Sequence, residues 1–168
     1  LRSYNEYMLS HRIKKCYKHI KLEEISGIIY YSPSIFFGSA VKYFKSKFNC
    51  YSYLILRDLF PQWTVDLGII KKNSFPHLFF KYFEKINYLH ADKIAVMSES
   101  NLKIFSKRSD FKKFEVLPSW QKPIKTETNN ALLKEYGLVE LIDKFVFFYG
   151  GNIGLAQGIE TLLTLSKS

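Results

Sequence analysis

Cysteine is scarce in this chain: Cys16 and Cys50 are the only two. They fall in different predicted elements, form no CxxC pair and have no histidine at metal-ligand spacing. The pattern therefore holds neither a disulfide framework nor a zinc site, and two reduced, buried thiols are expected. Long apolar runs are missing too, and no window approaches the roughly 18 residues a membrane span needs. The Gly-Lys-Ser/Thr phosphate loop and the GxGxxG dinucleotide fingerprint are both absent. So are RRM, KH and zinc-finger patterns, internal repeats and low-complexity tracts. His11, His19, His77 and His90 do not stand at predicted strand ends beside a serine or cysteine, which leaves nucleophilic triad chemistry without support. Acidic residues are few, 15 against 25 lysines and arginines, for a formal net charge of +10.

What is present is apolar and aromatic: 47% hydrophobic and 17% Phe, Tyr and Trp over 168 residues. That suffices for a sizeable core and is not a disordered composition. A basic, aromatic-rich domain suits either nucleic acid or an anionic membrane surface, and composition alone leaves both open. The chain opens Leu1-Arg2-Ser3 without Met and stops abruptly at Ser168, so a piece of a longer protein is expected.

Helical and strand-like stretches alternate. Residues 3–20 predict an amphipathic helix through Tyr4, Tyr7, Met8, Ile13, Cys16, Tyr17 and Ile20, with basic residues between. Residues 27–31 predict a strand stopped by Ser32-Pro33-Ser34, and 34–47 a helix through Phe37, Val41 and Phe44. Tyr51–Leu56 reads as a second strand, 75–90 as a helix, 93–97 as a third strand, 98–105 as a helix capped by Ser98, and 114–117 as a fourth strand. This order predicts βαβ units and a parallel sheet. The strands are apolar rather than alternating, which predicts helices on both faces. After Trp120 the polar stretch 121–129 reads as a linker. A short helix at 130–136 closed by Gly137 follows. Then comes an apolar strand, Phe145–Tyr149, and a glycine-rich loop before a helix starting near Ile159. The predicted division is 1–122 for the first domain and 123–168 for the linker and the start of a second.

The loop Gly150-Gly151-Asn152-Ile153-Gly154-Leu155-Ala156-Gln157-Gly158 joins a predicted strand to a predicted helix. Glycine lets a backbone approach phosphate closely, and free N–H groups in a helix's first turn favour an anion; a tight structural turn is the other reading. Arg57-Asp58-Leu59-Phe60-Pro61 follows the second strand, where open parallel sheets bind ligands, and could equally be a surface ion pair. Ser98 and Glu99 follow the third strand, as cleft contacts or as a plain helix start. Glu127 and Glu135 have the spacing of a carboxylate pair, but Glu127 lies in the linker and chance spacing is the reading.

Taken in order, these segments resemble the family-4 glycosyltransferases, enzymes of the GT-B architecture with two facing Rossmann-like domains. Arg57-Asp58-Leu59-Phe60-Pro61 is similar to the variant found in the branch that builds bacterial surface polysaccharides, where His-Asp is commoner in the wider family. Ala91-Asp92 through Ser98-Glu99 resembles the family's alanine-aspartate to serine stretch. Phe114–Trp120 resembles the crossing between domains, and Tyr149–Gly158 the donor-domain loop. The likeness points to the N-acetyl-fucosamine transferase-like branch of O-antigen and capsule assembly. Three departures stand out. Ser119 replaces the usual Asn after Pro, Asn152 and Gln157 stand where many members carry Arg and Lys, and the chain stops before the donor domain's own Glu-x7-Glu pair.

The resemblance implies a Rossmann-like acceptor-side domain, incomplete, and the start of a nucleotide-sugar domain. It implies retaining transfer of a sugar from a nucleotide diphosphate, UDP being expected, to a lipid-linked glycan, with no cofactor or essential metal. Gly150, Gly151, Asn152, Ile153, Gly154 and Gln157 would face the donor diphosphate; Arg57, Asp58, Ser98 and Glu99 would line the acceptor side. The enzyme would sit peripherally on the inner face of a bacterial cytoplasmic membrane, with helices 3–20 and 34–48 against anionic lipid, and nucleic acid would not be a partner. This piece alone would be inactive. The alternatives are a non-catalytic remnant of such an enzyme and a basic nucleic-acid-binding module.

Overall fold

A computed structural model describes residues 2–20, 24–123, 130–142, 144–154 and 157–167. The chain divides into two compact units, Leu1–Ser119 and Trp120–Ser168. The first contains α1 (Arg2–Tyr7), α2 (Leu9–Ile20), β1 (Gly27–Tyr31), α3 (Gly38–Phe48), β2 (Tyr51–Leu56), α4 (Gln62–Asp66), α5 (Phe75–His90), β3 (Lys93–Val96), α6 (Glu99–Phe105) and β4 (Phe114–Val116), with a 3-10 turn at Phe111–Lys113 before β4. The predicted helix at 3–20 is interrupted at Met8, although the backbone ladder carries across through Met8 N–H to Tyr4 O and Arg12 N–H to Met8 O, each 3.0 Å. The helix predicted from 34 starts at Gly38 instead, because Ser34–Phe37 is spent on the exit from β1. Met97 and Leu117 lie just beyond their strands, and α4 is an element the periodicity did not reveal.

The four strands form one parallel sheet in the order β1-β2-β3-β4. Each strand is added on the same side of the last, so right-handed crossovers bring every connecting helix to the same face. The core follows from this. Tyr30, Leu54, Leu56, Ile94, Val96 and Phe114 project to that face and pack with Val41 of α3, Tyr88 of α5 and Phe105 of α6. Among the described residues of the first unit, the expected cover on both faces is not found. On the opposite face Ile29 is 74% exposed, Tyr31 and Tyr51 are also exposed, and Tyr53 and Ile55 are half-buried. Both faces of β1 and β2 carry large apolar side chains, so the missing alternation does not by itself report cover on both sides. A polar cluster on this open face joins Tyr53, whose hydroxyl donates to Glu115 at 2.7 Å, to Lys93, 3.3 Å from the same carboxylate. Burial and that hydrogen bond push the Tyr53 phenol up to about 12.

Two devices lock the helices down. Gly38 lets α3 touch α5: a Cβ there would lie 2.9 Å from the Asn87 backbone nitrogen and 2.6 Å from the Ile86 side chain. Ser10 of α2 then serves the start of α3 from outside, its Oγ accepting from Ala40 N–H at 3.2 Å and donating to Phe36 O. The Ala40 N–H is thereby shared between Ser10 Oγ and Phe37 O, the latter at 2.9 Å. A second small cluster, Tyr17, Ala40, Phe44 and Cys50, fixes α2 against α3. Cys50 is buried there, but Cys16 is exposed, contrary to expectation, and both are free thiols.

At the amino ends of the strands Asp92 gathers its neighbours. Its Oδ2 accepts from Lys45 Nζ at 2.5 Å, Ser52 N–H at 2.8 Å and Ser52 Oγ at 2.9 Å, and its own N–H donates to Ser52 O at 3.0 Å. Partial burial pushes this carboxyl up, but the hydrogen bonds from Lys45 and Ser52 outweigh it and hold the group below its ordinary value. Asp92 is thus a pin between α3, β2 and β3, at the end of the sheet away from the loops that follow the strands.

The second unit contains α7 (Asn130–Glu135), a 3-10 turn at Val139–Leu141 and α8 (Ile159–Leu165). Gly137 closes α7 as predicted. It adopts φ +68°, its N–H reaches Lys134 O, and Leu138 N–H reaches Leu133 O, the paired bonds of a Schellman motif. The predicted buried strand at Phe145–Tyr149 is not formed. Phe147 is 91% exposed, with Phe145 and Phe148 close to it in exposure. A strand needs a ladder partner, and among the described residues none pairs with this segment. Its aromatic side chains instead border an open apolar cavity of about 680 Å³ with α8. The linker residues 124–129, with Glu127, lie outside the described residues.

Candidate functional site at the carboxyl edge of the sheet

The loops that leave β1 and β2 are tied together by one serine. Ser32 is almost fully buried. Its Oγ accepts from the N–H of Arg57 at 2.7 Å and of Asp58 at 2.9 Å, while its own N–H donates to Ile55 O at 3.1 Å. One hydroxyl therefore fixes the backbone turn at which β2 ends. The Arg57 and Asp58 side chains do not pair with each other. Both residues are exposed, and neither side chain has a hydrogen-bond or ion-pair partner among the described residues. The surface ion pair considered from the sequence is thus not made, and a cation and an anion are left open to solvent on a rigid turn.

Beside this turn, α1 and α2 reach over the exit of β1. Tyr7 is held among Phe36, Phe79 and Phe83, with ring centroids 5.8, 6.1 and 5.8 Å away. Together with the Ser10 contacts, this suspends Asn5, Glu6, Leu9 and Arg12 over Ser34, enclosing an open cavity of about 490 Å³. Under it Asn87 of α5 is buried; its Nδ2 donates to Ser34 O at 3.4 Å and its backbone carbonyl accepts from the Tyr30 hydroxyl at 2.8 Å. Burial first, then the nearby Asp92 charge, pushes the Tyr30 phenol well above its ordinary range, keeping it a neutral donor. Sequence reasoning missed Ser32, Ser34 and Arg12. The pause at Ser32-Pro33-Ser34 was legible as a strand end, but its serine hydroxyl gave no sign of reaching a turn 25 residues onward.

Ser98 acts as the cap expected of it, its Oγ accepting from Asn101 N–H at 3.2 Å. Its hydroxyl is therefore engaged at the start of α6. Glu99 is exposed in the first turn of that helix, where the helix dipole favours an acid. Ser119, beyond β4, makes only a long 3.6 Å contact with Met97 sulfur.

The glycine loop belongs to the second unit. Gly150, Gly151, Asn152, Ile153 and Gly154 are exposed, and none of these glycines has positive φ; among the described residues of the loop Gly158 alone does, at +58°. Tyr149 hydroxyl donates to Asn152 O at 3.0 Å, and Gln157 N–H to Gly154 O at 3.1 Å. A Cβ at Gly151 would meet the Tyr149 hydroxyl at 3.0 Å and one at Gly154 the Gln157 amide oxygen at 3.0 Å, both movable side-chain ends. Leu155 and Ala156 lie outside the described residues. Arg57, Asp58, Ser98 and Glu99 thus all belong to the first unit, while the glycine loop belongs to the second.

Among the described residues no three His, Cys, Asp or Glu side chains come together to hold a metal ion, and no helix is long and apolar enough to cross a membrane. No protein family, curated protein or solved structure was found to match this chain.

Proposed function

We propose that this chain is the acceptor-side part, with the beginning of the donor-side part, of a GT-B glycosyltransferase that moves a sugar from a nucleotide diphosphate to a lipid-linked glycan on the inner face of a bacterial membrane. One observation carries the reading most: the Ser32-anchored turn presents an unpaired Arg57 and Asp58 at the carboxyl edge of a parallel sheet, the edge where such sheets receive ligands. A lipid diphosphate or a sugar hydroxyl array suits that pair. Arg57 would meet an anionic oxygen with its planar fork, and Asp58 would accept from sugar hydroxyls. Arg12 and Ser34, across the neighbouring cavity, would extend the acceptor site. The loop Gly150–Gly154 and Gln157 would contribute to the donor diphosphate in the complete enzyme, where stabilising the departing anion is the main electrostatic task. The α/β sheet order, the glycine loop and the resemblance of the motifs support this reading over a nucleic-acid-binding module, which would leave all three unexplained.

The test is steady-state sugar transfer by the complete enzyme carrying this chain, with donor and acceptor varied in turn. Arg57→Ala should raise the acceptor KM while leaving donor affinity nearly unchanged. Gly154→Val should lower kcat/KM roughly 100-fold, the scale of one lost transition-state contact. A Gly154→Val enzyme that is folded and fully active would reduce the loop to a structural turn. An Arg57→Ala enzyme impaired toward the donor would overturn the assignment of sides.

A further inference from the structure

The sequence pointed to the helices at 3–20 and 34–48 as a membrane-facing surface. Of these, α3 turns Gly38, Ala40, Val41 and Phe44 inward onto α2 and α5, and its exposed residues are Ser39, Lys42, Ser46 and Lys47, with no large apolar side chain among them. Another surface has the better chemistry. Along α5 the residues Phe75, Leu78, Tyr82, Lys85 and Leu89 recur every third or fourth position and are all exposed, Phe75 at 82%. They form a stripe roughly 21 Å long at 1.5 Å rise per residue. The loop joining α4 to α5 continues it with exposed Ile69, Lys71 and Lys72.

We propose that this α4–α5 surface is where the protein docks on an anionic lipid bilayer, an inference that rests on the reading of a lipid-borne substrate and supplies the surface that would hold the enzyme to it. Charge complementarity selects this occupant. Between Gln62 and His90 the only acids are Asp66 and Glu84. Asp66 accepts from Gln62 Nε2 at 2.7 Å, and Glu84 is buried beneath α5, paired with Lys81 and bonded by the Tyr88 hydroxyl. Lys71, Lys72 and Lys85 are left without an anion among the described residues. A second copy meeting this surface would set lysine against lysine. An anionic headgroup layer neutralises all three while the apolar stripe enters the acyl boundary and the lysine stems follow it outward. An exposed apolar stripe of this extent marks an interaction surface rather than an ordinary monomer exterior.

The experiment is co-sedimentation of the 168-residue chain with vesicles of phosphatidylcholine alone or with phosphatidylglycerol. No sugar is involved, so loss of vesicle binding and loss of sugar transfer are separate failures. Binding should require the anionic lipid and weaken with salt. Lys71→Gln with Lys72→Gln should reduce partitioning about 25-fold, near fivefold for each lysine at a charged surface. Phe75→Ser with Leu78→Ser, at positions outside the core, should reduce it comparably with an unchanged circular dichroism spectrum. Lys14→Gln with Lys18→Gln on α2 should leave it nearly intact. Equal binding to neutral vesicles, or loss confined to the α2 variant, would overturn the proposal. So would tighter capture by an acidic polypeptide such as polyglutamate, which would point to a protein partner.

Discussion

Replacing Ser32 by alanine removes one buried oxygen and strands two donors. The N–H groups of Arg57 and Asp58 both end on that oxygen, at 2.7 and 2.9 Å. A hydrogen bond exchanged for water costs about 1 kcal/mol, and a donor left dry about 1–3 kcal/mol. Arg57 and Asp58 lie at the surface, so water reaches the turn once it loosens, and the total should fall at roughly 1–3 kcal/mol. Urea unfolding followed by far-ultraviolet circular dichroism measures that loss. Amide hydrogen exchange localises it, with protection at Arg57 and Asp58 falling while the β2 amides stay slow. Ser34→Ala is the matched control: its hydroxyl has only a 3.5 Å contact from Phe36 N–H, and stability should hardly move. A Ser32→Ala protein with unchanged unfolding midpoint and unchanged exchange at both amides would refute the idea that one hydroxyl sets the turn. The same variant should also weaken any ligand held by Arg57, because the guanidinium would keep its charge but lose its fixed origin.

Two further substitutions test the scaffold. Asp92→Asn should cost about 1–2 kcal/mol at neutral pH. Because the native carboxyl is held below its ordinary value, its contribution is present above the unfolded pKa of about 3.9 and is lost as pH falls through the lower native value. The variant's stability should therefore vary less steeply than the parent's below about pH 4, by a small amount, since 35% of the side chain is exposed and solvent screens it. Urea midpoints measured across acidic pH check this, and parallel curves for the two proteins would contradict it. Gly38→Ala should destabilise by about 1–3 kcal/mol through overpacking against the α5 backbone, read as a lower melting temperature; an unchanged or raised value would show that α3 can move aside.

The sheet was legible because its strands are short apolar runs stopped by turn or polar residues and the helix at Phe75–His90 has a clear helical period, and local rules located Ser98 and Gly137 from neighbouring residues alone. Long-range facts were not legible in the same way. Nothing local to Ser32 announces Arg57 as its partner, and nothing local to Arg12 announces that it lines a cavity with Ser34, since the first depends on strand order and the second on how α1 and α2 cross the exit of β1. The uncovered face escaped for a different reason. Ile29, Tyr31 and Tyr51 look like core residues by composition, and only the common direction of the crossovers reveals that the helices gather on the other side. Phe145–Tyr149 is the opposite case: a strong strand sequence whose pairing partner is not found among the described residues.

The open sheet face has a thermodynamic consequence. The heat capacity gained on unfolding scales with apolar surface newly wetted, ordinarily about 12–15 cal/mol/K per residue, and denaturant sensitivity scales with the same area. Ile29, Tyr31 and Tyr51 already meet water in the native state. They add little to either quantity, so the chain should melt over a broader range and respond to urea more shallowly than its length and apolar content suggest. Any partner that covers this face would restore both at once, making the steepness of unfolding a direct gauge of whether the sheet is covered.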